Sequence, residues 1–137
     1  MSGIIDTTIT RLQQLALQCT GVKSAPQTPP ESAAVLPLSV AFIASGNSTL
    51  SADQALMMLN IEVDIHVNRV TLKGAYNEIN TIIPLFLARL AGDPTLNSSV
   101  VTIVYPVTFE VLSAEWNRAE TLIAAFTISV KFREDTI

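Results

Sequence analysis

Residues 57–67 read Met-Met-Leu-Asn-Ile-Glu-Val-Asp-Ile-His-Val. The odd positions Met57, Leu59, Ile61, Val63, Ile65 and Val67 are all apolar. Between them Asn60, Glu62, Asp64 and His66 are polar, and Asn68 continues the series. Side chains on a strand alternate between faces, so the pattern predicts a strand with one face on a core and the other in water. At about 3.3 Å per residue the stretch spans roughly 36 Å, twice the length of an ordinary strand.

Working towards the N-terminus, Leu38 to Ala44 reads as a shorter strand with Leu38, Val40 and Phe42 inward. Ser45-Gly-Asn-Ser-Thr is polar and turn-forming, so the two strands are expected to form an antiparallel hairpin, the second running from about Gln54 to Asn68. Residues 22–37 hold Pro26, Pro29, Pro30 and Pro37, each of which fixes φ and lacks a backbone donor. They predict a proline-rich arm on the surface. Residues 3–19 place Ile5, Ile9, Leu12, Leu15, Ala16 and Cys19 on one helical stripe, with Gly21 as the stop.

Towards the C-terminus, Leu72, Ala75, Tyr76, Ile79, Ile82, Ile83, Phe86, Leu87 and Leu90 repeat at helical spacing over 70–91. Pro84 should kink this helix, and Gly92 should end it before the Asp93-Pro94 turn. Val101–Val111 alternates again, with Pro106 marking an edge or a bulge. Ser113–Arg118 reads as a turn and holds the only Trp, Trp116. Leu122–Phe132 alternates with its even positions inward. The expected architecture is therefore α+β: a single domain over 1–137, in the order α-β-β-α-β-β. An antiparallel four-stranded sheet carries both helices on one face.

Nearly half the residues are apolar, the mean hydropathy is +0.43 and only 15% are charged. A small domain has too much surface to hide all of that, which points to contacts with other subunits. A net charge of −4 and eight scattered basic residues argue against gripping nucleic acid. No apolar run reaches the roughly 18–20 residues of a membrane span, and the start lacks the basic region of a signal peptide. A cytoplasmic origin with no membrane partner is the expectation.

Candidate chemistry is sparse. Glu62, Asp64 and His66 share one strand face, and two carboxylates with an imidazole are conceivable zinc ligands. Alternate residues on a strand lie nearly 7 Å apart and do not converge, so a solvated face is the simpler reading. The single Cys19 reads as a buried apolar residue, and Trp116 as a packing residue at the sheet rim. Neither a nucleophile elbow nor a glycine-rich phosphate loop is present. No catalytic, cofactor-binding or metal-ligating residue is assigned.

One stretch resembles a known family. It comprises a helix ending Leu87-Ala-Arg-Leu-Ala-Gly, then Asp93-Pro-Thr-Leu, the polar turn Asn97-Ser-Ser and a strand beginning Val100-Val. This looks like the tail terminator (tail completion) proteins of long-tailed bacteriophages. The closing Phe132-Arg133-Glu134 and the order of helix, proline-bearing arm and long alternating strand are similar too, although Asn97 and Ser98 stand where glycines are common. The resemblance implies a non-enzymatic virion protein of the tail or neck, without cofactors, assembled in the host cytoplasm. It implies a homohexameric ring that caps the tail tube, stops its polymerisation and offers a surface to the head connector or stopper protein. DNA would pass through the lumen without specific binding. Alternatives are another neck or tail subunit, such as a head-completion or tube-like protein, or a small ligand-binding α+β domain.

Overall fold

A computed structural model describes residues 4–19, 21–26, 36–50, 55–69, 71–96, 100, 102–116 and 119–133. The elements follow the expected order: α1 (Ile4–Leu17), β1 (Leu38–Leu50), β2 (Ala55–Asn68), α2 (Leu72–Ala91), β3 (Thr102–Trp116) and β4 (Ala119–Arg133). The strands make one antiparallel sheet in the spatial order β1-β2-β4-β3. The chain is α+β, with α1 lying over β1 and α2 over β4 and β2.

Register fixes which side chains meet the helices, because directly opposed residues share a face. Leu59, Ile61, Val63, Ile65 and Val67 of β2 oppose Val130, Ile128, Phe126, Ala124 and Leu122 of β4. All ten join one core with Leu12, Ala16, Ile79, Ile82, Phe86 and Leu90 from the helices. Phe86 of α2 meets Phe126 of β4 edge to face, with ring centroids 4.7 Å apart and an interplanar angle of 60°. That geometry places the positive edge of one ring on the negative face of the other.

The register also overturns one expectation. Val40 opposes Asp64 and Leu38 opposes His66, so Leu38, Val40 and Phe42 lie on the outer face, away from the helices. Ala41 joins the core instead. A bulge between Ile43 and Ser45 then shifts the alternation by one residue. The polar segment Ser45–Thr49 is likewise no turn. It continues β1, because the long β2 beside it supplies ladder partners out to Leu50↔Ala55, and pairing overrides local turn propensity. Ser113–Trp116 extends β3 in the same way.

α2 starts on an N-cap, where Thr71 Oγ1 accepts from the Gly74 backbone N–H at 3.1 Å. Ala75, Ile79, Ile82, Phe86 and Leu90 face the core, whereas Leu72 and Tyr76 from the expected stripe are exposed. The helix runs through Pro84. Both Pro84 and Asn80 are exposed, so the carbonyl that loses its donor faces water. Pro106 sits where the sequence placed it, on an edge strand and inside a register shift between Val104 and Thr108.

The ends of the proline-rich arm are pinned. The Lys23 N–H donates to the Pro37 carbonyl (2.9 Å), the Ser39 N–H to the Ser24 carbonyl (2.8 Å), and Val22 is buried in the core. The buried Gln13 side chain donates to the carbonyls of Pro26 and Ser39, both at 2.9 Å, and accepts from Ser39 Oγ. Residues 22–26 and 36–37 thus belong to the fold, and residues 27–35 of the arm lie outside the described set.

Candidate functional surface

The outer face of the sheet is built by the even residues of β2 and the odd residues of β4. At one end Asn60 bridges three strands: its Nδ2 donates to Ser45 Oγ (2.8 Å) and its Oδ1 accepts from Ser129 Oγ (2.6 Å). Next come Glu62 opposite Thr127, and then Asp64 opposite Ala125. Glu110 of β3 flanks Ala125 from the far side, about 10 Å from Asp64 at the usual strand spacing. At the other end His66 lies opposite Ile123.

This face is not the solvated one the alternation suggests. His66 is only 7% exposed, and its Nδ1 lies 3.1 Å from Thr121 Oγ1, itself buried. Burial pushes the imidazole down to about 4, so it is neutral at neutral pH. Asp64 is half-buried and moves the other way, to about 7. Desolvation is the main cause, followed by the charge of Glu62, a side-chain hydrogen bond to it and the charge of Glu110. Asp64 Oδ1 is buried with no hydrogen-bond partner among the described residues. A half-protonated carboxyl and a neutral imidazole are here products of burial on a crowded sheet face. No group of three or more His, Cys, Asp or Glu able to hold a metal ion occurs among the described residues.

The remaining sequence candidates are accounted for. Cys19 is buried, its Sγ bonds the Leu15 carbonyl at 3.7 Å, and burial raises its pKa against the lowering charge of Arg89. Trp116 is the last residue of β3, and its side chain lies outside the described set. The Asp93-Pro-Thr-Leu turn, which carries the family resemblance, is a three-way staple. Asp93 Oδ2 accepts from Arg11 Nε of α1 at 2.7 Å. The Pro94 carbonyl accepts from the Ile103 N–H at 2.8 Å at the start of β3. Leu96 is fully buried at φ +47°, a left-handed backbone that is uncommon for a residue other than glycine. The turn joins α1, α2 and β3 and has no chemistry of its own.

Sequence reasoning finds only part of the apolar surface along β3: the alternation places Val104, Leu112 and Ile123 outward, as assembly contacts, but Phe109 inward with the core. Phe109, expected in the core, is 48% exposed although its ring still reaches Phe126 at a centroid distance of 6.0 Å. Tyr105 and Val111 of the same strand are exposed too, and so is Leu112 on the outer face. The helices lie over β1, β2 and β4, and this half of β3 projects past them. Two helices above four strands, one of them at the far edge, was the available signal. Of Val104, Leu112 and Ile123, the outward apolar residues of the last two strands, Ile123 is buried and Leu112 is exposed.

A cleft of about 690 Å³ lies beside the first half of α2, lined by Lys23, Pro37, Asn68, Thr71, Glu78 and Ile82 among others. It is mixed in polarity. No helix among the described residues is long and apolar enough to cross a membrane. No protein-family model matches the chain, and no curated protein matches it.

Proposed function

We propose that this chain is a tail terminator of a long-tailed bacteriophage. It forms a ring of six copies that caps the tail tube, halts tube growth and joins the tail to the head connector. It is a structural virion subunit of the neck and not an enzyme, and it assembles in the host cytoplasm. The observation that carries the reading is the sheet itself: strands of 13 to 15 residues whose edge strand β3 exposes Tyr105, Phe109, Val111 and Leu112. Phe109 and Val111 lie on the helix side and Leu112 on the outer side, so both faces of this edge are apolar and exposed, which marks an interaction surface. The element order and the Asp93-Pro-Thr-Leu staple support the family resemblance. A net charge of −4 suits a ring through which DNA slides without sticking.

The test is the tail itself. Averaged electron micrographs of mature tails, with this chain labelled, should place a ring at the head-proximal end of the tube. Tails lacking the gene product should be of irregular length and unjoined to heads. Uniform, head-joined tails without this chain would sink the reading. The cleft beside α2 is the one observation that favours the other class, a small ligand-binding domain. Stoichiometric small-molecule binding by a monomer that never enters virions would establish that class instead.

A further inference from the structure

β1 and β3 each have one strand neighbour in the sheet. On its outward side β1 is engaged at its start, where the Ser39 N–H reaches the Ser24 carbonyl and the Pro37 carbonyl accepts from Lys23. On its outward side β3 is engaged at its start too, where the Ile103 N–H reaches the Pro94 carbonyl. Beyond these clamps, over 41–50 and 108–116, no described segment pairs with either outward edge. Open edges are templates for further pairing, and proteins that stay single blunt them with lysine, proline, brevity or a covering element. Lysine, proline and a covering element are missing from the open spans among the described residues; the β1 span carries only its bulge between Ile43 and Ser45, and the β3 span only Glu110 and Glu115. β1, Leu-Ser-Val-Ala-Phe-Ile-Ala-Ser-Gly-Asn-Ser-Thr-Leu, has neither charge nor proline in 13 residues. The proline of β3 lies at its bulge, before the open span.

We infer that β1 of one copy adds to β3 of the next, so that a second copy of this chain occupies each edge. The inference rests on the ring reading above and names the surface the ring uses. Charge disfavours one rival pairing and apolar exposure the other. Pairing β3 with another β3 would line one ladder with two sets of Glu110 and Glu115, and β3 has no basic residue to answer them. Pairing β1 with another β1 would leave Phe109, Val111 and Leu112 in water. Pairing β1 with β3 sets the two glutamates against a strand without charge, and exposed Ile43 of β1 adds to the apolar contact. It is also the arrangement that uses both edges of every subunit. A head-to-tail contact of this kind closes into a ring or continues as a filament.

Two variants and their mixture test it. Ile43→Lys charges the β1 edge and Leu112→Lys the β3 edge. Both side chains are exposed, so each variant should keep its fold, which circular dichroism checks. By sedimentation up to millimolar concentration, the unmodified chain should self-associate. Each variant alone should do so at least about 30-fold more weakly. Mixed in equal amounts, they should form a one-to-one heterodimer and nothing larger, since each supplies the edge the other has lost. If Ile43→Lys still dimerises while Leu112→Lys does not, β3 pairs with itself and the inference is wrong. A parent chain that stays monomeric throughout also overturns it, because a second copy is then not the occupant. Should a variant lose its fold, amide hydrogen exchange on the parent chain decides. Protection on assembly should appear over 41–50 and 108–116, and protection confined to other segments is the opposing result. A ring on tails built through other surfaces would leave the tail reading intact and remove this one. Edge pairing by a chain absent from tails would do the reverse.

Discussion

The two faces of β2 are made by one strand and behave oppositely. On the helix side Ile61, Val63, Ile65 and Val67 are completely buried and touch apolar neighbours. On the outer side Glu62, Asp64 and His66 alternate with them, yet His66 is buried and Asp64 is half-buried with an oxygen that no described residue satisfies. The first face gains free energy by leaving water. The second loses hydration and recovers part of it through Thr121, Glu62 and the Asn60 ladder. Alternation in a sequence therefore identifies the face that must be dry, and leaves open whether the other face is wet.

The largest expected effect probes the dry face against its own margin. Phe126→Ala removes a fully buried ring that touches Phe86 and should cost about 3–5 kcal/mol. Phe109→Ala removes the same atoms from a neighbour that is half in water, and should cost about half as much or less. Urea unfolding midpoints compare the two. Equal losses would mean that the β3 edge is as well packed as the centre, and the contrast between core and projecting edge would be wrong.

The next effect probes the outer face. A surface histidine changed to alanine alters stability by about 0.5 kcal/mol. His66 is buried and its ring is held by Thr121, so His66→Ala leaves a cavity and an abandoned hydroxyl, and should cost about 1–3 kcal/mol. A change within about 0.5 kcal/mol would restore the solvated-face picture.

These outcomes measure how much of the fold is legible in the sequence. Element order, both helices and the core residues Ile61, Val63, Ile79, Phe86 and Phe126 follow from periodicity, because burial against a helix layer imposes a strict period. Strand ends do not follow. Ser45–Thr49 has turn-forming composition but lies beside β2, and the ladder decides. The faces of β1 do not follow either, since its alternation places Leu38 and Val40 opposite His66 and Asp64, a fact that exists only in the register. The exposure of Phe109 depends on how many strands two helices can cover. The interaction surface was hidden only in part: Leu112 reads as outward and apolar from the alternation, whereas Phe109 looks the same whether a helix lies above it or not.

The smallest expected effect is a near-cancellation in the unmodified chain. Asp64 titrates near 3.8 when unfolded and near 7 when folded, so between those values the folded state holds the extra proton. Its contribution to stability therefore falls as pH rises across that window. His66 titrates near 6.5 unfolded and near 4 folded, so there the unfolded state holds the extra proton, and this contribution rises with pH. Between about pH 4 and 6.5 the two slopes oppose each other, each at most about 1.4 kcal/mol per pH unit. Removing one partner should unmask the other. Relative to the unmodified chain, Asp64→Asn should gain stability as pH rises from 4 to 6.5, and His66→Ala should lose it over the same range. Taking differences cancels groups common to both, such as the Arg11–Asp93 pair. Urea midpoints at half-unit pH steps read the result. Relative slopes of the same sign in the two variants would mean that the outer face does not hold these groups in opposite protonation imbalance, and its burial at Asp64 and His66 would have to be reconsidered.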